Sequence, residues 1–257
     1  MHMENEENTA VAAEAKKEIE KEAPSEQPVQ ENKAKGYAFK TALGASVASG
    51  EITSIDEILE NNMKMLEPEI VDYLIPNLQT EFLFIGQSKG KLGGGKRRIV
   101  RNTQKVTAKA KRQHFSAMAV VGDGNGHIGV GKGRGLESVT AKEKALKKAK
   151  LSIVKIATGC GSWECACKGH HSIPLRVSGK SGSVIVSLIP APRGIGFCVV
   201  DDIKSILRLA GIKDVWSLVR GQTNTRINLG YATFDALKKL NYYRFMESEK
   251  SALGVVG

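Results

Sequence analysis

The chain has 257 residues, 41% of them hydrophobic but only 5% aromatic, so its core must be built from Val, Ile, Leu and Ala, in one large or two modest domains. No apolar run reaches the ~18 residues of a membrane-crossing helix, no signal-peptide core opens the chain, and four cysteines, three of them clustered, make no secreted disulfide framework. The formal charge is +11, and residues 86–200 hold 22 Lys and Arg against 4 Asp and Glu; a solubilising surface mixes signs, so this block calls for a polyanionic partner. The expected compartment is the cytoplasm.

Residues 1–36 carry 9 acidic and 5 basic side chains and almost no large apolar ones, and read as a disordered acidic tail. "ITSIDEILE" (Ile52 to Glu60) predicts a helix with Ser54 as N-cap and Glu57 three residues on. "EPEIVDYLI" from Glu67 predicts a second short helix with Pro68 in its first turn. The period then changes, and "EFLFIGQ" (Glu81 to Gln87) reads as a strand. "SKGKLGGGKRR" (Ser88 to Arg98) is a flexible glycine loop with five basic side chains. Strand character resumes at Ile99, and another basic stretch, "KAKRQHF" (Lys109 to Phe115), follows.

"FSAMAVVGDGNGHIGVGKG" is the clearest local signal. Two β-rich runs flank Asp123-Gly124-Asn125-Gly126, residues that tolerate positive φ, so a hairpin is expected. "LESVTAKEKALKKAKL" (Leu136 to Leu151) predicts a helix. One face holds Val139, Ala145, Leu146 and Ala149, and the rest Lys142, Lys144, Lys147, Lys148 and Lys150. The small alanines would let it lie close on a sheet. Beyond the Cys-rich stretch, "SIPLRV" and "VIVSLI" read as strands joined by "SGKSGS", and "PAPRGIG" (Pro190 to Gly196) as a turn. Helices are expected over Asp201 to Ala210 and Tyr231 to Lys239. Cys198 reads as a buried small hydrophobe.

Enzymatic signatures are thin. Gly126 to Lys132 spells G-x-x-x-x-G-K, but Gly133 stands where the magnesium-binding hydroxyl belongs, and the glycines sit on a hairpin. At Gly179-Lys180-Ser181, Pro174 replaces the first glycine of the same pattern. Residues 86–200 offer only Asp123, Glu137, Glu143 and Glu164 as carboxylates, with no G-x-S-x-G elbow. No reaction is expected; the glycines read as turns and sites of close backbone approach.

The stretch "AVVGDGNGHIGVGKGRGLESVTAKEKALKKAKLSIVKI", with "GKSGSVIVSLIPAPRGIG", "LAGIKDVWS", "YATFDALKK" and, upstream, "GEITSIDEILE" and "EPEIVDYLI", resembles the universal small-subunit ribosomal protein five, the S-five family, over roughly residues 42–240. "GCGSWECACKGHHSIP" (Gly159 to Pro174) looks like the insert of the archaeal branch. The resemblance implies an α+β fold: a double-stranded-RNA-binding-like domain over 37–157, a Cys/His-rich connecting loop over 158–172, and an α/β domain over 173–245 with a four-stranded sheet backed by two helices, then a tail over 246–257. It implies a structural constituent of the small ribosomal subunit bound to 16S-type rRNA. Its neighbours would be ribosomal proteins S-four and S-eight, and it would line the path by which mRNA enters, supporting accuracy together with S-four. "AKAKRQHF" lacks the glycine of the family's glycine-basic loop, "SKGKLGGGKRR" is an added basic loop, and the acidic tail is not a family hallmark. The competing function is a free-standing double-stranded-RNA-binding regulator or chaperone.

A-form RNA hides its base edges, so the chemistry expected is phosphate neutralisation plus shape. The candidates are Lys89, Lys91, Lys96, Arg97, Arg98, Arg101, Lys105, Lys109, Lys111 and Arg112, with His127, Lys132, Arg134, Lys180 and Arg193 on or beside glycine-rich turns. The helix lysines near Lys147 are weaker candidates, many of them a solvated face. Cys160, Cys165, Cys167 and His171 offer three thiolates and an imidazole, enough for one closed tetrahedral structural zinc site. Cys165 and Cys167 would need a sharp turn, with Ala166 the only spacer. His171 stands just before Ser172-Ile173-Pro174, as in the archaeal pattern, and is preferred to His170; Trp163 would cover one side. The other reading is a reduced Cys-rich loop packed on RNA.

Overall fold

The computed structural model describes residues 39–88, 97–165 and 167–255. The acidic tail, the glycine loop with Lys89, Lys91 and Lys96, and the spacer Ala166 lie outside the described residues.

Three short helices lead: α1 (Ala42–Ser49), α2 (Ile55–Glu60) and α3 (Glu69–Leu74). Thr41 caps α1 by accepting Gly44 N–H, and Gly50, at φ 83°, ends it in the left-handed region. Ser54 precedes α2, but its hydroxyl donates to Glu57 Oε1 at 2.8 Å instead of accepting a backbone N–H. Pro68 leads directly into α3, where its missing N–H costs no hydrogen bond. Val47, Ile55, Ile58, Ile70 and Val71 pack these helices together and onto Ile153.

The first sheet holds β1 (Gln79–Phe82), β2 (Arg101–Val106), β3 (Lys111–Gly122), β4 (His127–Gly135) and β5 (Val154–Lys155). Its order is β1-β3-β4-β5, with β2 pairing the other end of β3; every pair is antiparallel. The first strand was expected over Glu81 to Gln87 but ends at Phe82. Leu83 and Ile85 are apolar because they turn into the core, where both are buried. Likewise β2 starts at Arg101, two residues after Ile99.

β3 explains its own apolar run. Residues Ala117 to Val121 are all fully buried, and the strand's period of two divides them. Ala117, Ala119 and Val121 pack under α4 (Ser138–Leu151), while Met118 and Val120 enter a core shared with the second half of the chain. The Asp123–Gly126 hairpin is as expected, with Gly124 at φ 77° and Gly126 at φ 100°.

Helix and sheet meet through two stripes of small residues. Gly129, Gly131, Gly133 and Gly135 alternate along β4, and a Cβ on any of them would collide with α4: with Ala149, Ala145, Ala141 or Thr140. The buried face of α4 is Ala141, Ala145 and Ala149, spaced by four. Val139, expected on that face, is 59% exposed; only alanine fits against glycine at this spacing.

The second sheet runs β6 (Val177–Ser181), β7 (Val184–Pro190), β9 (Val215–Arg220), β8 (Phe197–Cys198), with β8 parallel to β9. Of "SIPLRV" only Val177 joins β6; Ser172 pairs with Gly159 instead. Helix α6 (Arg226–Leu240) backs this sheet, where Gly179 lets it approach at Ala232 and Ala236, and α5 (Asp201–Leu209) packs on α6 and on β3. α6 starts five residues before the expected Tyr231, because Gly230 lets its first turns lie on Met118 and Leu83. Cys198 is exposed, contrary to expectation. Residues read as a C-terminal tail contain α7 (Glu247–Leu253). The described residues thus form two sheets and seven helices, an α+β architecture.

Candidate nucleic-acid interface and metal centre

β2 and the first half of β3 form a two-stranded ribbon whose residues are mostly exposed. Its tip is a tight turn in which Thr107 N–H donates to Ala110 O, and Thr107 Oγ1 donates to the same oxygen at 2.6 Å. A threonine hydroxyl thus helps to close this turn. Lys105 faces Arg112 across the ribbon, and Val106 faces Lys111. Like charges directly opposite destabilise a sheet. Among the described residues no ion pair involves Arg98, Arg101, Lys105, Lys109, Lys111 or Arg112. By contrast Lys150, in the last turn of α4, is bound to Asp72, and Lys155, on β5, to Asp56. Lys132 and Arg134 lie on β4 among its glycines, Lys180 is exposed on β6, and Arg193 is exposed on the 190–196 turn.

His127 does not belong with these cations. Its Nδ1 lies 2.7 Å from Asp123 Oδ2 and its Nε2 2.8 Å from Asp56 Oδ1. Burial works against the charged imidazole, but the hydrogen bonds to Asp123 and Asp56 prevail and raise its pKa. Both ring nitrogens are spent on tying α2 to the hairpin.

The Cys/His loop closes on itself. Ligand atoms of Cys160, Cys165, Cys167 and His171 all lie within 4.8 Å of one another. His171 Nε2 is 3.9 Å from Cys165 Sγ and 3.1 Å from Cys167 Sγ. Those distances bracket the S···N edge of about 3.6 Å that Zn–S and Zn–N bonds of ordinary length set in a tetrahedron. Burial pushes the Cys160 thiol up to about 11, whereas the backbone N–H of Arg193 draws the Cys165 thiol down to about 6. His171 Nδ1 lies 2.8 Å from Asp214 Oδ2, which fixes Nε2 as the free nitrogen facing the thiols. Asp214 Oδ1 accepts the N–H groups of Gly194 and Gly196. Donor set, spacing and carboxylate support all fit a zinc-type ion. Trp163, expected over the site, is 89% exposed, and His170 is not among the four residues whose ligand atoms converge.

Asp214, 43 residues beyond His171, was invisible in the sequence, as was Asp56: each acts across the fold and carries no local motif.

Two family models match the chain. "Ribosomal protein S5, N-terminal domain" covers residues 99–157 and "Ribosomal protein S5, C-terminal domain" residues 179–250. The chain is 53% identical over 205 residues to the small ribosomal subunit protein uS5 of Nanoarchaeum equitans, covering 80% of this chain and 88% of that one. It is 45% identical over 217 residues to the protein of the same name from Methanocaldococcus jannaschii (84% and 93%) and 47% identical over 209 residues to that from Methanoregula boonei (81% and 95%). The chain therefore belongs to the ribosomal protein S5 family, in its archaeal form. Among the described residues no helix is long and apolar enough to cross a membrane.

Proposed function

We propose that this protein is a structural constituent of the small ribosomal subunit in the cytoplasm, binds its 16S-type rRNA and performs no reaction. The observation that carries the RNA contact is the unpaired basic ribbon. Lys105 against Arg112, with Lys109 and Lys111 at the tip, is a costly arrangement alone and a favourable one once RNA phosphates lie between the charges. Arg97, Arg98, Arg101, Lys132, Arg134, Lys180 and Arg193 extend this set, as do Lys89, Lys91 and Lys96 beyond the described residues. On the family's pattern, S-four and S-eight are the protein neighbours and the basic surface lines the path by which mRNA enters. A small-subunit protein of this kind and a free-standing regulator differ in where the protein resides, and the close uS5 relatives favour the former.

Cys160, Cys165, Cys167 and His171 hold one structural zinc ion, whose role is to order a long loop that lacks secondary structure. Metal analysis of protein purified without chelator should return one equivalent; less than a tenth of an equivalent contradicts the site. For the RNA contact, replacing Arg97, Arg98, Lys111 and Arg112 together by Ala should weaken rRNA binding and lower the log–log salt slope by roughly 0.7–0.9 per lost phosphate contact. An unchanged slope contradicts the assignment.

A further inference from the structure

A cleft of about 430 Å³ opens where the two sheets' halves meet. The N-terminal half contributes Arg97, Arg101 and Lys132; the C-terminal half contributes Asn224, Arg226 and Asn228 from the start of α6. Among the described residues no carboxylate lines it. Four cations in one concavity repel each other strongly unless an anion is among them.

The surrounding structure holds these cations in place. Gly86 N–H donates to Arg98 O, and a Cβ on Gly86 would press on Arg98 O and Val100 O, so glycine is what lets the 97–100 segment lie against the cleft wall. Lys132 stands on β4 opposite Met118, whose side chain is buried under α6 at Gly230. Arg226 is gripped from behind: its guanidinium donates to Asp202 Oδ2 at 2.6 Å. Asp202 also draws on Arg97 at longer range. One carboxylate nevertheless cannot balance four cations, and Arg97, Arg101 and Lys132 form no ion pair among the described residues. Thr225 caps α6 without a side-chain hydrogen bond, so the first N–H groups of this 15-residue helix add positive potential on the same side.

We propose that this cleft takes one nucleotide of the rRNA. Its phosphate meets Arg97, Arg101, Lys132 and Arg226, and its ribose or base edge meets the Asn224 and Asn228 amides, which both donate and accept. The volume is that of a small-ligand pocket, too small to take a duplex. An unpaired nucleotide, turned out of its helix, is the RNA element that enters such a site. This inference rests on the rRNA-binding reading, and adds that both halves of the chain grip one point of the RNA.

The test uses the full chain and transcribed archaeal small-subunit rRNA. Arg226→Lys keeps the charge and the Asp202 pair but loses the planar fork; Asn228→Ala removes an amide without touching a charge. A third variant, Lys105→Gln with Lys109→Gln, alters the ribbon alone. Circular dichroism checks folding, and Lys132→Gln substitutes for Arg226→Lys if that variant is unfolded. Affinity should fall about tenfold in Arg226→Lys, the loss of a charge-assisted fork, and about threefold to tenfold in Asn228→Ala, the loss of a neutral hydrogen bond. Phosphorothioate interference at one discrete RNA phosphate, seen with wild type and with the ribbon variant, should vanish in the cleft variants. Cleft variants that bind and footprint like wild type, while the ribbon variant loses affinity, overturn the cleft and leave the RNA reading standing. Wild type without affinity for rRNA overturns both. Adenosine monophosphate that raises the melting temperature of wild type but not of Arg226→Lys, with rRNA affinity equal in the two, assigns the cleft to a free nucleotide and overturns the RNA assignment.

Discussion

His171 and Asp214 are joined by a 2.8 Å hydrogen bond between two buried side chains, and through it the Cys/His loop is fastened to the second sheet. The carboxylate fixes which imidazole nitrogen faces the thiols and holds the ring in place as a ligand. Asp214→Asn should therefore weaken zinc binding about 10–100-fold in a chelator competition. Glu164→Gln, on the same loop but outside the donor set, should leave it unchanged. Equal affinities in wild type and Asp214→Asn would detach the carboxylate from the metal centre.

The loop also holds the C-terminus. Cys160 N–H donates to Leu253 O at 2.8 Å, and Gly254 lies so close to Lys168 O that no side chain fits there. Stripping the metal should loosen α7, with amide exchange at Cys160 and tryptic cleavage at Lys250 accelerating at least about tenfold. Unchanged rates after chelation would show that α7 is held independently of the metal.

The glycine stripe of β4 makes a sharp stability prediction. In Gly131→Ala the new methyl meets Ala149 N and Ala145 O, backbone atoms that cannot yield without moving α4. Urea denaturation should show a loss of about 1–3 kcal/mol or more. At Gly124, φ 77° with no atom nearby, alanine meets only the left-handed strain, about 1–2 kcal/mol. A neutral Gly131→Ala would contradict the packing.

His127 predicts a pH dependence. Its folded pKa is raised, with burial opposing and the Asp123 and Asp56 hydrogen bonds winning. The stabilisation is thus complete below the unfolded value of about 6.5 and fades as pH rises through the folded one. The two carboxylates, lowered by the same bonds against their own burial, lose their share only as pH falls below the ordinary carboxylate range. The stability gap between wild type and His127→Ala should be widest near pH 5–6, of order 1 kcal/mol given how exposed Asp56 is, and should narrow towards pH 9. A gap that grows with pH would have the wrong sign.

Much of this was written locally. Hairpin residues at 123–126, the alanine spacing of α4 and the Cys-His cluster all depend on chemistry within a few positions, and each stands in the structure where those residues lead. What was misread depends on distant partners. "EFLFIGQ" has the apolar run of a strand, but Leu83 and Ile85 answer to Met118 and α6, not to a neighbouring strand. Val139 shares a face with Ala145 by period alone; the glycines of β4 decide that only the alanines go under. His127 looked like a cation on a glycine turn until Asp56, 71 residues away, took its second nitrogen. The cleft joins residues from both halves of the chain and has no local signature.

The central claim is that the cationic surface exists to hold this protein on the RNA of the small subunit. Sucrose-gradient sedimentation of the tagged protein in an archaeal cell extract tests it most directly. The account predicts co-migration with the small subunit at moderate salt and release as salt is raised, with earlier release for the variant lacking Arg97, Arg98, Lys111 and Arg112. A protein that stays in the light fractions at moderate salt, wild type and variant alike, would contradict it.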